Sequence, residues 1–422
     1  MKMIKFRFKF PTSPVLNVGC TAALLLSLSA CMKADDPGQR EVLTAATPDR
    51  KRMAELGRKI FFDTSLSASG KQSCATCHDP AHAFAPANDL SVQLGGAQQD
   101  SQGARAVPSL RYVLNRTPIW HQPYVASLAE RIREGVESPS GGFAWDGRFN
   151  TLHEQAEFPL LAQNEMANAS AAAVCEKLSK ADYAAQFRHV FGETIFNSPQ
   201  QRYQSALQAI EQFELDDPNF HPYSSKFDAY LDGKIELSAQ ENRGFALFND
   251  PTKGNCASCH IDTKAADGSH PLFTNYQYEA LGVPRNPAIA ANANPNYYDK
   301  GVCGPTRKSL ADNPDLCGLF KTPTLRNVAS RGAFFHNGYF HTLKSALQFY
   351  VQRDTNPKRW YPHSGNDVVK FDDLPPAERG NINVTDLPLD NKLDGKPIWN
   401  DKDIDDVIAF LNTLTDRDVK NR

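Results

Sequence analysis

The most regular pattern of apolar and polar residues lies near the end of the chain, in the stretch NDKDIDDVIAFLNTLTD. Its apolar residues recur at the three- and four-residue spacing of one helix face, and they are Ile404, Val407, Ile408, Leu411 and Leu414. Asn400 is suited to cap the first turn, and Asp403 completes a capping box. We therefore predict a helix that begins after Asn400 and buries this face.

A second pattern is an internal repeat. The stretches ELGRKIFFDTSLSASGKQSCATCH and NRGFALFNDPTKGNCASCH each run from a helical segment through a polar loop into Cys-x-x-Cys-His. The same helix face is marked in both copies, by Gly57, Ile60 and Phe61 in the first and by Gly244, Leu247 and Phe248 in the second. The repeat predicts two related helical units.

The alternation of apolar and polar residues that is typical of β-strands is scarce. We predict a mainly α fold of two small helical domains with extended loops, and the chain of 422 residues is long enough for two cores. The predicted domains span residues 47–215 and 216–422, with one copy of the motif in each.

Charge excludes one class of function. The 46 Lys and Arg nearly balance the 48 Asp and Glu, and basic blocks are missing from the sequence. Nucleic acid is therefore not an expected partner.

The first residues have the features of a targeting segment. Four basic residues precede the apolar run TAALLLSLSA, which is too short to span a bilayer. The run ends in Leu-Ser-Ala-Cys, which resembles a bacterial lipobox. We predict a lipoprotein-type signal at residues 1–31, lipidation of Cys31 and a tether at 32–46. An ordinary secretory signal is the alternative, and both place the protein in the periplasm, with membrane contact only through a lipid.

The remaining cysteines separate by context. Cys303 and Cys317 bracket a polar loop, and in an oxidising compartment we expect them to form a disulfide. Cys175 lies on the helical run AAAVCEKLSK and is expected to be a buried free thiol.

The two paired motifs share one explanation. Cys-x-x-Cys-His is the attachment signature of c-type haem, because two thiols one helical turn apart add to the two vinyl groups of a porphyrin and the next histidine binds the iron. The motif residues are Cys74, Cys77 and His78, then Cys256, Cys259 and His260. A zinc site built from the four cysteines would leave both histidines unexplained, and a thioredoxin-like pair would require a βαβ context. We predict two covalent haems with His78 and His260 as iron ligands.

Three further blocks, in this order around the motifs, resemble the bacterial di-haem cytochrome c peroxidase and MauG family. They are FAWDGRFNTLHEQAEFPLLAQNEM between the motifs, LFTNYQYEALGVPRN after the second, and FKTPTLRNVASRGAFFHNGYFHTLKSAL. The resemblance covers nearly all of the mature chain. It implies two cytochrome c-type domains, with peroxide reacting at the first haem and the second storing or passing electrons.

The resemblance also implies roles around the first haem. Glu165 matches the family's distal glutamate, the acid–base group for peroxide cleavage, and Gln155 and Pro159 match residues that line the same space. Family members that need reductive activation carry a distal histidine, but the corresponding stretch NDLSVQLGG contains none. The first haem is then expected to be open, with His82 and His121 in structural roles.

The next group of matches concerns the second haem. Trp145 matches a tryptophan placed between the haems, and His336 matches a histidine expected to be structural. Tyr350 aligns with the position of the methionine that ligates the second iron in other members. A tyrosine ligand is the MauG-like arrangement, and it lowers the reduction potential of the iron.

Two positions depart from the family pattern. Gly254 stands where MauG has a tryptophan through which its protein substrate is oxidised. Tyr112 stands where an asparagine binds calcium between the domains, so calcium is left open.

Three functions remain open. A MauG-like maturation enzyme, of which the methanobactin-associated proteins are another example, would use hydrogen peroxide to oxidise a side chain of a partner protein. A cytochrome c peroxidase would reduce hydrogen peroxide with electrons from a small exported cytochrome or cupredoxin. A non-catalytic electron carrier is the third reading, and Glu165 with an open first haem argues against it.

Overall fold

The computed structural model describes residues 49–112, 115–122, 138–389 and 395–420. The predicted signal, the tether and Cys31 lie outside these residues. Within them, the chain forms ten α-helices and six short strands, which confirms the mainly α prediction. The described residues contain no helix with the length and apolar character needed to cross a membrane.

The helices, α1 to α10 in chain order, are Arg50–Phe62, Cys74–Cys77, Leu152–Leu161, Ala171–Lys180, Ala184–Phe191, Pro199–Asp216, Lys226–Leu231, Ala239–Asn249, Leu343–Gln352 and Asp401–Asn412. The strands form three antiparallel pairs: β1 (Leu94–Gly95) with β2 (Ser101–Gln102), β3 (Tyr278–Glu279) with β4 (Phe320–Lys321), and β5 (His363–Ser364) with β6 (Asp367–Val368). Long loops connect them, and several bring residues to the candidate site.

The last helix begins where the pattern predicts. The Asn400 side chain accepts hydrogen bonds from the backbone N–H groups of Lys402 and Asp403, and Asp403 accepts one from the N–H of Asn400. The capping box is therefore confirmed. Ile404 and Val407 are fully buried, and Leu414 stays buried although the helix ends at Asn412.

Each copy of the repeat crosses a second helix at its glycine. A Cβ at position 57 of α1 would lie 1.8 Å from the carbonyl oxygen of Ala209 in α6, and a Cβ at position 244 of α8 would lie 1.9 Å from that of Asp406 in α10. Both distances are far below contact distance, so the helix backbones touch and only glycine fits. The repeat in the sequence thus corresponds to the same close helix crossing in both copies.

The apolar interior is arranged around these crossings. One buried cluster is drawn from residues 56–220 and another from residues 227–414. A third, smaller cluster surrounds the bond between Cys303 and Cys317, whose sulfur atoms are 1.98 Å apart. Residues Pro48–Arg422 nevertheless form one compact unit, so the division near residue 215 stays a prediction.

A buried polar network joins the loop after the first motif to the end of the chain. The Tyr112 hydroxyl donates to Asp416 Oδ1 at 2.5 Å, and Arg111 donates to Asp416 Oδ2 at 3.1 Å and to Asp418. The Arg326 guanidinium lies over the Tyr112 ring at 4.4 Å. Tyr112 therefore has a structural partner of its own at the position where the family's calcium-binding asparagine was expected.

The helix crossings lead to a stability prediction. Replacing Gly57 with alanine should lower the free energy of unfolding by about 1–3 kcal/mol, because the added methyl group forces the crossed helices apart. Urea unfolding of the haem-loaded protein measures the change. Gly380→Ala is the matched control, since a Cβ there meets nothing within 4 Å. Equal midpoints for the two variants would show that the crossing is not tightly packed.

Candidate functional site

A cavity of about 590 Å³ is lined by residues of both Cys-x-x-Cys-His motifs. The structure brings every predicted haem residue to it: the cysteines and histidines of both motifs, Gln155, Pro159, Glu165, Trp145 and Tyr350. These residues come from positions as far apart in the chain as Cys74 and Tyr350. The fold therefore gathers into one space the residues that the sequence assigned to two haems.

The first motif forms a single helical turn, and hydrogen bonds fix the orientation of the histidine that follows it. The N–H of His78 donates to the carbonyl of Cys74 at 2.9 Å, which closes the turn. The Nδ1 atom of the imidazole lies 3.0 Å from the carbonyl oxygen of Phe84. A carbonyl only accepts, so Nδ1 carries the proton and Nε2 keeps a free lone pair.

The second motif reaches the same arrangement by a tighter turn. Cys256–Ser258 forms a 3₁₀ turn, and His260 Nδ1 donates to the carbonyl oxygen of Phe273 at 2.8 Å. Both accepting phenylalanines have left-handed backbones, with φ of 52° at Phe84 and 53° at Phe273. The sequence analysis missed them, although each follows its motif within a short loop and could have been found by comparing HAFAP with PLFTN.

Burial keeps both imidazoles neutral. It lowers the pKa of His78 and that of His260 to about 4, an effect only partly offset by the carbonyl hydrogen bonds. A neutral imidazole with Nδ1 protonated presents Nε2 to a metal. The two rings are thus prepared to act as axial ligands.

The thiols of both motifs are held in the protonated form. Burial raises the pKa of Cys77 to about 11 and that of Cys256 to about 12, and it also raises the pKa of Cys74 and of Cys259. Among the described residues, the one group of three close metal-binding side chains is Cys303, Cys317 and Glu378, and its two cysteines are joined in the disulfide. The four motif cysteines do not converge, which argues against a shared zinc site.

Glu165 is placed by a helix and a strand. Helix α3 carries Gln155 and Pro159, and the chain then turns so that the N–H of Glu165 donates to Ala162. In return the carbonyl of Glu165 accepts from the N–H of Gly96 at 2.7 Å. A Cβ at position 95 would lie 2.8 Å from the Glu165 Cα, so the glycine lets β1 approach this turn.

The environment of Glu165 shifts the pKa of its carboxyl toward neutral pH. Burial raises its pKa to about 7, and the Arg148 guanidinium lowers it in part. A carboxyl with this pKa both accepts and returns a proton readily at pH 7. The structure thus gives the predicted distal glutamate a suitable acidity.

Trp145 is held from both halves of the chain. Its indole Nε1 donates to the carbonyl of Ala106 at 2.8 Å, while its own carbonyl accepts from the N–H of Lys321 at 2.9 Å. Nearby Arg105 is bound by Asp146 at 2.8 Å and by both oxygens of Asp299 at 2.6 and 2.7 Å. Sequence reasoning missed Arg105, whose two carboxylate partners, Asp146 and Asp299, lie in separate loops.

Tyr350 lies on α9 close to the second motif. Burial raises the pKa of its hydroxyl, and the nearby Cys259 and Cys256 raise it further. Its ring packs against Phe335 with 5.5 Å between centroids. The phenol is therefore neutral unless a strong Lewis acid displaces its proton.

The other histidines have protein partners. His336 stacks on Phe320 with 3.5 Å between ring centroids, and its Nε2 lies 3.4 Å from Asp373. His82 Nδ1 is 2.8 Å from Asp79. The backbone of His121 pairs with that of Ser140. His82 and His336 also line the cavity, and the structural roles of the three histidines stay predictions.

The two departures from the family pattern have different structural accounts. At Gly254, a Cβ would lie 2.1 Å from the indole of Trp399, which fills the space where a side chain would point. Sequence reasoning missed Trp399. At Tyr112, the hydroxyl is bound to Asp416, so this side chain does not offer a free calcium ligand.

Comparison with known proteins decides the family. The profile described as di-haem cytochrome c peroxidase matches residues 51–236. The methylamine utilization protein MauG of Paracoccus denitrificans is 31% identical over 417 residues, covering 96% of each chain. The chain belongs to the di-haem cytochrome c peroxidase family.

Two further peroxidases are similar to this chain over most of its length. The crystal structure of the diheme peroxidase BthA from Burkholderia thailandensis E264 is 40% identical with a TM-score of 0.77, and the match covers 88% of this chain and 87% of that one. The cytochrome c551 peroxidase of Nitrosomonas europaea is 30% identical over 344 residues, or 80% of this chain and 83% of that one. This di-haem peroxidase is thus a haem-dependent oxidoreductase that acts on peroxide.

The cavity fits the cofactor that the family implies. It offers two pairs of protonated thiols and two neutral imidazoles with free Nε2 atoms, the set that covalent attachment and axial ligation of haem require. Family membership implies haem iron, and occupation of both motifs stays a prediction.

Haem content tests that prediction. The double variant Cys256→Ala, Cys259→Ala should carry half the haem of the wild type, because each motif attaches one porphyrin through its own thiols. Mass spectrometry of the intact chain and a pyridine haemochrome assay give the ratio. Cys175→Ala is the control, since this buried thiol bonds to the Pro199 carbonyl instead. Unchanged haem content in the double variant would contradict attachment at the second motif.

Proposed function

We propose that this chain is an exported, MauG-like di-haem enzyme that uses hydrogen peroxide to oxidise a side chain of a partner protein. The observation that carries the proposal is Tyr350, which is half-buried and lines the shared cavity beside the second motif. The likeness to MauG over 96% of the chain supports the same reading. The export signal and the lipid at Cys31 belong to this proposal.

The two histidines would hold the cofactors. His78 and His260 would each offer Nε2 to an iron, since the carbonyls of Phe84 and Phe273 hold the Nδ1 side of each ring. Haem iron, when bound, supplies the peroxide site and the capacity to store oxidising equivalents. The protein supplies the orientation, the proton transfer and the route between the two sites.

Proton transfer at the first site is assigned to Glu165. Its carboxylate oxygen takes a proton from peroxide and returns one to the departing oxygen, which leaves as water. Gln155 and Pro159 line the space beside it. Because burial and Arg148 together leave the pKa of Glu165 at about 7, its protonated and ionised forms are both populated at neutral pH.

Trp145 and Tyr350 would share the oxidising equivalents between the two sites. The Trp145 indole is held by a hydrogen bond to Ala106 and offers an oxidisable ring. Tyr350 would bind the second iron as a phenolate, since the charge of the metal offsets the burial that raises the pKa of the free phenol. A phenolate favours the oxidised iron.

A second candidate function is a cytochrome c peroxidase that detoxifies hydrogen peroxide. It is favoured by the 30% identity to a cytochrome c551 peroxidase. Its electrons would come from a small exported cytochrome c or cupredoxin. A plain electron carrier is less well supported, because it has no use for the carboxyl of Glu165 in the wall of the cavity.

Peroxide titration of the fully oxidised protein separates the two functions. We expect one equivalent of hydrogen peroxide to remove both ferric electron paramagnetic resonance signals together, without prior reduction. Tyr350→Phe should raise the potential of the second haem by more than about 59 mV, a tenfold loss of preference for the oxidised iron. Redox titration measures the shift, with Tyr339→Phe as the control.

Either of two results would reject the MauG-like reading. A wild type that reacts only after one haem is reduced would be a reductively activated peroxidase. An unchanged second-haem potential in Tyr350→Phe would remove Tyr350 from the iron.

The role of Glu165 predicts a pH profile. Peroxide consumption by the wild type should fall as pH drops through about 7, because the base form of Glu165 is then lost. Glu165→Gln should react about 100-fold more slowly, with little pH dependence and normal haem spectra. Stopped-flow absorption measures the rate. Glu157→Gln on α3 should behave as the wild type, and comparable rates for both variants would rule out Glu165 as the acid–base group.

A further inference from the structure

A second carboxyl, Glu214, lines the cavity on the side of the first motif. It lies near the end of α6 and is only 3% exposed. It shares the cavity wall with Cys74 and Ile210, and its charge raises the pKa of the Cys74 thiol. The proposed function gives Glu214 no task.

Glu214 is buried without a partner for Oε2, which has no hydrogen bond. Other buried carboxylates are compensated: Asp146 by Arg105, Asp228 by Arg326 and Asp416 by Arg111. An ionised carboxylate in an apolar site without such compensation is costly. Glu214 is therefore neutral at pH 7, and burial with the nearby negative Glu211 raises its pKa to about 8.

The charged groups on the surrounding elements are engaged elsewhere. Arg50 of α1 pairs with Asp216, and His153 of α3 pairs with Glu211. Lys177 of α4 donates to the carbonyl of Ser67 and to Asn168. Cys74 of α2, the titratable group facing Glu214 from the motif, loses its thiol proton for good once haem is attached. Glu211 thus remains the charge that acts on Glu214.

We propose that Glu214 couples proton uptake to the reduction of the first haem, as a positioning residue that sets its potential. This rests on haem occupying the first motif, as in the proposed function. At a pH above the pKa of Glu214 in the oxidised protein, the ionised Glu214 takes up one proton from solvent when an electron from a one-electron donor enters the first haem, and it releases that proton when the electron leaves. The net charge of the buried site then stays constant.

The coupling has a definite sign. An ionised carboxylate stabilises the more positive, oxidised iron, so the potential of the first haem falls as pH rises and Glu214 ionises. A tenfold fall in proton concentration lowers the potential by up to about 59 mV for one proton per electron. Below the pKa of Glu214 in the oxidised protein, the potential is level.

The test is spectroelectrochemical titration of the first haem in the haem-loaded protein between pH 6 and 10. It is run in the Glu165→Gln background, so that the other cavity carboxyl does not contribute. We expect a falling potential above the pKa of Glu214, and a level line when Glu214→Gln is added. A wild-type-like slope in Glu214→Gln, or a level line with Glu214 present, overturns the proposal.

Glu211→Gln is the matched variant on the same helix. Glu211 is partly exposed and does not line the cavity, so the slope should remain, but it should begin at lower pH because a negative neighbour is gone. If Glu214→Gln fails to load haem, the Glu211→Gln variant tests the proposal by itself. A potential that begins to fall at the same pH as without Glu211→Gln would contradict the coupling. The potentials are measured without peroxide. The result therefore does not depend on whether the proposed reaction with peroxide takes place.

Discussion

The hydrogen bond from each motif histidine to a backbone carbonyl is the constraint around which the site is arranged. Because the carbonyl of Phe84 or Phe273 can only accept, Nδ1 must hold the proton and Nε2 must face the cavity. That requirement forces the chain to turn back sharply after each motif. The left-handed backbone at both phenylalanines is how it does so.

The helix crossings give these turns a firm base. Gly57 and Gly244 let each motif-bearing segment lie directly on a partner helix, and the motif residues then pack on the cores behind them. Cys74 contacts the first core and Cys256 the second. Two copies of a small unit thereby enclose one cavity. Hydrogen bonds of Trp145 to Ala106 and of Arg105 to Asp299 connect the loops between the two copies.

The two carboxyls Glu165 and Glu214, on the first-motif side of the cavity, differ in their surroundings, which is why we propose different roles for them. Glu165 has a nearby cation, Arg148, which holds its pKa close to 7. Glu214 has a nearby anion, Glu211, which keeps it protonated to higher pH. Environments that separate the pKa values of two carboxyls allow one to exchange protons with substrate while the other responds to charge.

Local and periodic features were readable from the chain alone. The capped helix at Asn400, the repeat with its two glycines, and the motif that binds haem each depend on residues close together in sequence, where spacing decides geometry. The resemblance to a family added Glu165, Trp145 and Tyr350, and the fold brings all three to one cavity.

What the tertiary structure alone decided concerns contacts between distant segments. The carbonyls of Phe84 and Phe273 that accept from the histidines, the indole of Trp399 in the space at Gly254, and the uncompensated Glu214 are all defined by such contacts. Burial and charge at such positions depend on which loops and helices meet. The sequence by itself therefore determined which residues could attach a haem, whereas the acidity and orientation of the groups around that site were decided only by folding.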